Sequence, residues 1–428
     1  MSVSEAAAFV VRNVRLFDGE QIIDRADVVV EGERITGVTP HSGTPHHDAE
    51  RYGVERYDAD RYEVVDGTGA TLLPGLIDSH THPTGNALAL AILFGVTTEM
   101  DLFTVPERLG NQRAVAAERN DVADIRSAST GATVLGGHPS MLIGLSFREQ
   151  FPVIDGPEDA AQFVRDRVAE GADFIKLLID DGTAMGHPSP TLSEETARVV
   201  VAEAHAHGLL AVAHATSVRN ALAAVRAGVD GLVHVFMDQP PGEDVIHTIR
   251  EAGVFVIPTL VTMGSMAGEL TGQAVADDGR ARPYIPDDWH QNLCSCWQLG
   301  SPSSLENAKL ATRALHRAGV TIVAGTDAAD VGVLGTAHGV SLHQELALLV
   351  DCGLTPTEAL TAATSSAATS FGLLDRGRVT PGRQADLLMV HGDPTTDITA
   401  SLSIRAVWRR GQRLHRAPAS RPSATPSG

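Results

Sequence analysis

Apolar runs of strand length recur along most of this chain and alternate with segments of helical spacing. The candidate strands after residue 72 are LIDSHTH (76–82), GVTTEMDLF (95–103), GATVLGG (131–137), DFIKLLI (173–179), LLAVAHA (209–215), DGLVHVF (230–236), GVFVIPTL (253–260) and GVTIVAGTDA (319–328). Amphipathic helices that end in glycine lie between several of them, at 194–208, 217–228 and 304–319. Strands that alternate with helices are typical of parallel βαβ units. Eight strands predict an α/β fold of the (β/α)8 TIM barrel class, with a doubly wound sheet as the alternative.

Both ends of the chain read as β-structure. Alternating runs occupy 9–19 and 26–40 near the N-terminus, and 385–392 and 403–416 near the C-terminus. Two helices are predicted before the second pair, at 338–353 and 355–372, and Thr355 and Glu358 are spaced as a capping box. We expect four regions: the N-terminal part of a small β-domain built from both termini (1–71), the barrel (72–375), the C-terminal part of that β-domain (376–416) and a disordered tail (417–428).

Composition and charge narrow the class of protein. The 428 residues are 43% hydrophobic, as in globular proteins, and no apolar run reaches the roughly 18 residues that span a bilayer. Three cysteines and an N-terminus without a basic region before its apolar stretch favour a cytoplasmic protein without a disulfide framework. The net charge of −20 argues against nucleic acid or anionic membranes, because phosphate binding needs clustered Lys and Arg. We expect a small-molecule substrate.

Side chains of metal-ligand type recur at the strand ends. His80 and His82 are two residues apart in one predicted strand, so both face the same side. The other candidates are Lys176 in strand four, His214 at the end of strand five, His234 at the end of strand six and Asp327 at the end of strand eight. The carboxyl ends of the strands form the active-site face of a TIM barrel.

Each of these residues taken alone has an ordinary explanation. A single histidine in an apolar strand is more often a hydrogen-bonded core residue than a ligand, and Asp327 could cap the next segment. A solitary core lysine is costly, and only Lys176 and Lys309 among the 33 basic residues are lysines. Their joint occurrence at one predicted face favours a metal site.

These residues lie in motifs that resemble the amidohydrolase superfamily of metal-dependent hydrolases. The matching motifs are LLPGLIDSHTHP, FIKLL, VAHAT, DGLVHVF, AGTDA and GRVTPGRQADLLMVHGDP. The resemblance extends from about residue 8 to about residue 415, and the chain is most similar to the imidazolonepropionase-like and prolidase-like members. It implies a (β/α)8 barrel plus a small β-sandwich formed by both termini.

The resemblance also implies the ligand set of a two-metal centre. His80 and His82 would bind one divalent ion, His214 and His234 would bind the second, and Asp327 would contact the first. Carbon dioxide would convert Lys176 into a carbamate whose oxygens bridge both ions, a role that arginine cannot take because its guanidinium stays protonated. Zn²⁺ is the default for such ligands, and manganese, iron, nickel or cobalt also fit.

The mechanism implied by this family is hydrolysis of an amide C–N bond. A hydroxide that bridges the metals would attack the carbonyl, and Asp327 would act as general base and then as general acid toward the leaving nitrogen. The substrate would be an N-acyl amino acid, a dipeptide-like compound or a cyclic amide. The alternatives are a mononuclear deaminase, an ester or lactone hydrolase and, lower in rank, a non-catalytic barrel scaffold. Relatives are often oligomers, so a homo-oligomer is an open expectation.

Other residues are weaker candidates. His138 in a GGH turn after strand three could bind the substrate carbonyl or carboxylate, and Arg148 is a further candidate there. His187 reads as a surface-loop residue. The long segment 261–302 contains clustered aromatic residues and is predicted to form an ordered lid. Cys294 and Cys296 lack nearby partner motifs and read as buried thiols rather than a metal site.

Overall fold

The computed structural model describes residues 8–41, 62–143, 150–298 and 303–419, where strands and helices alternate through most of the chain. The strands in chain order are β1 (Ala8–Phe17), β2 (Ile22–Glu31), β3 (Arg34–Pro40), β4 (Glu63–Asp66), β5 (Ala70–Pro74), β6 (Leu76–Thr81), β7 (Val96–Asp101), β8 (Asp124–Ser127), β9 (Ile175–Leu178), β10 (Ala211–His214), β11 (Gly231–Val233), β12 (Phe255–Ile257), β13 (Leu387–His391), β14 (Ile404–Arg409) and β15 (Gln412–Arg413).

The helices lie mostly between the parallel strands. In chain order they are α1 (Ala87–Leu93), α2 (Pro106–Glu118), α3 (Pro157–Ala169), α4 (Glu194–Ala206), α5 (Val218–Ala227), α6 (Glu243–Ala252), α7 (Leu260–Met266), α8 (Gln273–Ala276), α9 (Asp287–Leu293), α10 (Leu305–Arg317), α11 (Val340–Asp351), α12 (Pro356–Ala362) and α13 (Ser365–Ser370). The predicted glycine-terminated helices are α4, α5 and α10. The capping box of Thr355 and Glu358 opens α12 as predicted.

Strands from both ends of the chain pair in one sheet. Its order is β15-β14-β13-β5-β1-β2-β3, and β4 also pairs with β1. The junction between the two ends is the antiparallel pair β5–β13, in which Leu73 faces Leu388 and Pro74 faces Leu387. The predicted pairing of the two termini is therefore present.

This terminal sheet curls over a core of its own. Phe9 on β1 stacks on Trp408 on β14 with ring centroids 5.5 Å apart, although three strand spacings of a flat sheet would separate them by roughly 14 Å. At the β3 edge, the Ile35 amide donates to the Arg383 carbonyl at 2.9 Å. Both ends of the sheet thus bend around one buried cluster that includes Val28, Leu72 and Met389.

The parallel strands form two sheets, β6-β7-β8 and β9-β10-β11-β12. Isolated parallel bridges join them: Ala132 with Leu177, Val256 with Ile322, and Thr81 with Ala328. The pairing therefore runs from β6 to β12, continues through residues 320–328 and returns to β6. This arrangement is a mixed α/β architecture of the TIM-barrel type.

Side chains alternate between the interior of these strands and the helices outside. Val212 belongs to an interior cluster that takes members from all of the paired segments, whereas its neighbours Ala211 and Ala213 pack in the cluster shared with the helices. Phe174 lies in the interior cluster, and Ile175 and Leu177 lie on the helix side. Because strand side chains alternate, Lys176 and His214 point inward.

Two predicted strands differ from the structure. The third was predicted at 131–137, but the regular strand is Asp124–Ser127, and in the predicted range only Ala132 forms a bridge, to Leu177. The sequence of that strand, DIRS, is mostly polar, so the hydrophobicity pattern did not indicate a strand there. The eighth, predicted at 319–328, has only the bridges at Ile322 and Ala328. Near its end, the Asp78 carboxylate accepts hydrogen bonds from both the amide and the hydroxyl of Thr326.

Some expectations fall outside the described residues. Arg148 and residues 420–428 of the predicted tail are among them. In the described portion of the predicted lid, segment 261–302 forms α7, α8, α9 and a short 3-10 turn. None of the described helices is both long and apolar enough to cross a bilayer.

Candidate metal centre

The predicted ligands meet at the carboxyl ends of the parallel strands. Lys176 is within β9, His214 ends β10, and His234 directly follows β11. The imidazole ring of His234 lies 4.9 Å from that of His80 and 4.4 Å from that of His214, between ring centroids. The structure thus brings together residues that are more than 150 positions apart in the sequence.

His80, His82 and Asp327 form the tightest group. The Nε2 atoms of the two histidines are 3.3 Å apart, and each lies 3.2 Å from the same oxygen, Oδ1 of Asp327. Ligand atoms about 2.0–2.1 Å from a tetrahedral zinc ion stand about 3.3 Å from one another. The three donor atoms are therefore spaced to hold a metal ion.

A change of register in β6 brings these histidines inward. Ile77 belongs to the interior cluster, so strict alternation would direct His80 toward the helices. The pairing of β6 with β7 shifts between Asp78 and Thr81, and such irregularities re-aim side chains beside active sites. Gly325 leaves space for the backbone of His80, since a Cβ atom at residue 325 would lie 2.8 Å from the His80 backbone nitrogen.

Neighbouring strand ends hold three residues in the left-handed backbone region. His234, Thr259 and Asp327 have φ values of 69°, 51° and 59°. Such conformations cost about 1–3 kcal/mol each in residues other than glycine. At His234 the positive φ breaks the alternation, because Val233 before it already faces the interior. Backbone strain therefore directs the imidazole of His234 into the centre.

Hydrogen bonds orient three of the four rings from behind. Nε2 of His214 donates to Asp180 at 3.1 Å, Nδ1 of His234 contacts the Thr259 hydroxyl at 2.6 Å, and Nδ1 of His82 lies 3.3 Å from the Phe103 carbonyl. A ring nitrogen engaged in this way leaves the other nitrogen as the ligand atom. The centre therefore presents Nδ1 of His214 and Nε2 of His234 and His82.

Lys176 lies inside the centre, where its amine is buried without a hydrogen-bond partner among the described residues. Its side chain is 2% exposed, and within the described residues Nζ has no hydrogen-bond partner. Burial lowers the pKa of Lys176 to about 7, against the opposing charge of Asp327. A neutral amine is the form that reacts with carbon dioxide, and an uncompensated buried ammonium would be costly. Lys176 thus fits a carbamate ligand better than a structural role.

His80 and His234 are held in the neutral form. Burial, together with Lys176 and neighbouring histidines, lowers the pKa of His80 and of His234 well below the ordinary value. Nδ1 of His80 is buried and has no partner within the described residues. A neutral imidazole supplies the lone pair that a metal ion requires, so the donor set fits divalent cations.

The structure gives the positions of two weaker candidates, His138 and His187, relative to the centre. The half-buried ring of His138 stacks on that of His214, with centroids 4.9 Å apart and planes at 28°, and burial and His214 lower its pKa to about 3. His138 therefore lies beside the centre. His187 is exposed in the loop after β9, in line with its prediction as a surface residue.

Several residues at the centre were missed by the sequence reasoning. Asp180 follows β9, Thr259 follows β12, and Asp101 ends β7 with Oδ1 4.0 Å from Nδ1 of His82. All are polar residues at strand ends, so the criterion that found Asp327 applied to them as well. Glu99 and His338 form a fully buried pair 2.9 Å apart, and they had no such signal because Glu99 is inside β7 and His338 precedes α11.

Comparisons with known proteins identify the family of the chain. A model of the amidohydrolase family matches residues 71–414. An ochratoxinase from Aspergillus niger is 26% identical over 269 residues, covering 61% of this chain and 50% of that protein. An imidazolonepropionase from Deinococcus deserti is 41% identical over 106 residues, covering 24% of this chain and 26% of that protein.

A solved structure is similar over nearly the whole chain. The crystal structure of a putative prolidase from Bifidobacterium longum has a TM-score of 0.74 and 25% identity, covering 97% of each chain. This likeness covers nearly all of the chain, whereas the chain matches half or less of the length of the two curated relatives.

Proposed function

Because the chain belongs to the amidohydrolase family, we propose that it is a metal-dependent hydrolase that cleaves an amide C–N bond. The observation that carries the proposal is the spacing of the donor atoms of His80, His82 and Asp327, all within 3.3 Å of one another. The expected substrates are N-acyl amino acids, dipeptide-like compounds and cyclic amides. The relatives named ochratoxinase, imidazolonepropionase and putative prolidase support a substrate of the amide class.

The proposed frame is a (β/α)8 barrel at residues 72–375 beside a β-sandwich of residues 1–71 and 376–416. The bridges that return the pairing from residues 320–328 to β6 support the barrel, since a doubly wound sheet would keep two open edges. The curl that brings Phe9 onto Trp408 supports the sandwich.

Two divalent ions, with zinc as the default, fit the donors present. His80, His82 and Asp327 would hold one, and His214 and His234 would hold the other. Lys176, once carbamylated, would offer an oxygen to each. Bound divalent cations lower the pKa of water and polarise a substrate carbonyl.

The protein's own residues supply proton transfer and orientation. Asp327 would accept the proton of the attacking water and pass it to the leaving nitrogen, because an unprotonated amine leaves poorly. Its side chain is 18% exposed, so a substrate can reach it. His138, kept neutral by burial, could donate a hydrogen bond to the substrate carbonyl or carboxylate. Asp180 and Thr259 would hold the rings of His214 and His234 in place.

Metal analysis combined with a substrate panel tests the proposal. The chelated protein is reloaded with zinc and assayed against N-acyl amino acids, dipeptides, lactams, esters and lactones. We expect about two ions at the candidate metal centre, counted in the variant Cys294→Ser so that thiol-bound zinc is not included, and amide hydrolysis that Asp327→Asn lowers by at least about a hundredfold. The partly exposed His316 on α10 supplies the control variant, His316→Asn, which should retain activity.

Other outcomes separate the alternatives. About one ion at the centre, counted in the same variant, with release of ammonia would favour a mononuclear deaminase, and activity on esters or lactones alone would favour an ester or lactone hydrolase. No bound metal after zinc supplementation, together with no turnover of any substrate, would contradict the proposal and favour a non-catalytic scaffold.

A further inference from the structure

A second group of metal-ligand side chains lies in the segment after β12. Asp277 caps the end of α8, His290 lies on α9, and Cys294 caps the end of α9. None of the three belongs to the candidate metal centre, and all are among the described residues of segment 261–302. Because His290 and Cys294 are four residues apart on one helix, they lie on the same helix face.

The donor atoms of this group converge. Nε2 of His290 is 3.1 Å from Oδ1 of Asp277 and 3.9 Å from Sγ of Cys294, and all three donors are within 4.8 Å of one another. Zinc binds thiolate at about 2.3 Å and nitrogen or oxygen at about 2.0–2.2 Å, so tetrahedral donors stand about 3.3–3.6 Å apart. Small side-chain rotations would bring these atoms to that spacing.

Hydrogen bonding alone does not explain the arrangement well. One nitrogen, Nε2 of His290, faces both the carboxylate and the thiol, yet it can carry only one proton. A Cys–His–Asp relay would use the two different ring nitrogens instead. A cation placed among the three donors satisfies all of them at once.

The charges around the group are consistent with a bound cation. Two neighbouring carboxylates have arginine partners: Asp278 pairs with Arg280 at 2.6 Å and Asp287 with Arg282 at 2.5 Å. The contacts found for Asp277 are with His290 and with the Gln273 amide at 3.5 Å, and its side chain is 56% exposed. The carboxylate of Asp277 is therefore available to a cation from solvent.

We propose that Asp277, His290 and Cys294 form a second, surface metal site that binds a divalent cation of zinc type, with water completing the coordination. A soft thiolate together with imidazole and carboxylate selects zinc over magnesium or calcium, which prefer oxygen ligands. The prediction that Cys294 is a buried thiol rather than a metal ligand is therefore replaced, since the thiol is partly exposed and has two ligand-type neighbours.

This site would stabilise the wall of the candidate metal centre. The cation would tie α8 to α9, and α9 carries Asn292, whose side-chain amide donates to the Val333 and Thr336 carbonyls at 2.8 Å each. Those carbonyls belong to the loop that follows Asp327. The role of the second cation would thus be structural, and it does not depend on the reaction proposed above.

Cobalt titration of the full-length protein tests the site. A thiolate ligand gives cobalt(II) a charge-transfer band in the near ultraviolet, and the candidate metal centre contains no cysteine. We expect the band in the wild type, its loss in Cys294→Ser and its loss or marked weakening in His290→Gln. Cys296→Ser is the matched control and should keep the band, because Cys296 contacts Gln298 and lies outside the group.

Alkylation gives a second readout that does not need absorbance or activity. Zinc should slow modification of Cys294 by iodoacetamide at least about tenfold, as mapped by mass spectrometry, and should leave Cys296 unchanged. Absence of the band in the wild type at saturating cobalt, or a band that persists in Cys294→Ser, would overturn the proposal. So would equal alkylation of Cys294 with and without zinc.

Discussion

Asp180 accepts a hydrogen bond from Nε2 of His214 at 3.1 Å and so selects Nδ1 as the ligand atom of that ring. Burial works to raise the pKa of Asp180, but hydrogen bonds from His214 and Thr216 outweigh it and hold the pKa well below the ordinary value. The carboxylate is therefore charged when His214 has to bind a cation. This contact would orient His214 as the proposed ligand.

Removal of this carboxylate should weaken metal binding. We expect Asp180→Ala to lower the affinity of the centre for zinc about 10- to 100-fold, because the ring of His214 loses its orienting partner. Competition with a fluorescent chelator measures the affinity. Asp181→Ala is the neighbouring control and should change it little, since Asp181 contacts Thr183 and Asn220 rather than a ligand. Unchanged zinc affinity in Asp180→Ala would show that Asp180 does not support metal binding by His214.

The two lysines of the chain form a natural pair of variant and control. Lys176→Ala should abolish binding of two ions and most activity, and short carboxylic acids should restore some of both by supplying the missing oxygens. Lys309→Ala should behave as the wild type, because Lys309 lies on α10 and pairs with Asp351 at 3.6 Å. Metal content and hydrolysis with and without added acid are the readouts. Full activity in Lys176→Ala would refute the bridging role.

The buried imidazole of His343 should make the free energy of unfolding depend on pH. The ring is buried on α11, where Nε2 donates to the Phe94 carbonyl and Nδ1 accepts from the Ser401 hydroxyl, each at 2.9 Å. Burial, with Arg416 and Arg280 nearby, lowers the pKa of His343 to about 4, against the opposing effects of the Phe94 carbonyl and Asp278. Between about pH 4 and pH 6.5 the unfolded chain therefore binds a proton at His343 and the folded chain does not.

The sign of this effect follows from the proton count. The stabilisation from neutral His343 is complete above about pH 6.5 and is lost as the pH falls to about 4, by up to about 3 kcal/mol. His343→Gln cannot titrate, so its deficit in unfolding free energy relative to the wild type should narrow over that interval. Urea unfolding of both proteins from pH 7 to pH 4 measures the difference. A constant difference would contradict the assignment.

Asn292 connects α9 with the loop after Asp327. Asn292 is 3% exposed. Its Nδ2 atom donates to the two carbonyls named above, and its Oδ1 atom accepts from the Gly332 amide at 2.9 Å. Asn292→Ala would leave these buried groups unpaired, and we expect a loss of about 2–4 kcal/mol in unfolding free energy. Gln291→Ala, at the exposed neighbouring position, should cost less than about 0.5 kcal/mol. Denaturant unfolding compares the two, and equal stabilities would show that the loop does not depend on Asn292.

The amino-acid sequence by itself determined the alternation of strands and helices, the family and the main ligand candidates. Hydrophobic periodicity is local, so β9 and β10 and their inward-facing residues Lys176 and His214 could be recognised from short segments. The family assignment depended on motifs, and the family model that matches residues 71–414 confirms it. Polar strands such as β8 were not predicted, because their side chains show little hydrophobic periodicity.

Only the tertiary structure decided how distant residues combine. The shift of register in β6, the left-handed backbone at His234 and the partners Asp180 and Thr259 depend on pairing between strands that the chain visits separately. The group of Asp277, His290 and Cys294 likewise forms only when α8 packs beside α9. Such contacts arise from loop closure and packing, which local sequence patterns do not encode, whereas the strand and helix periods are set by the backbone itself.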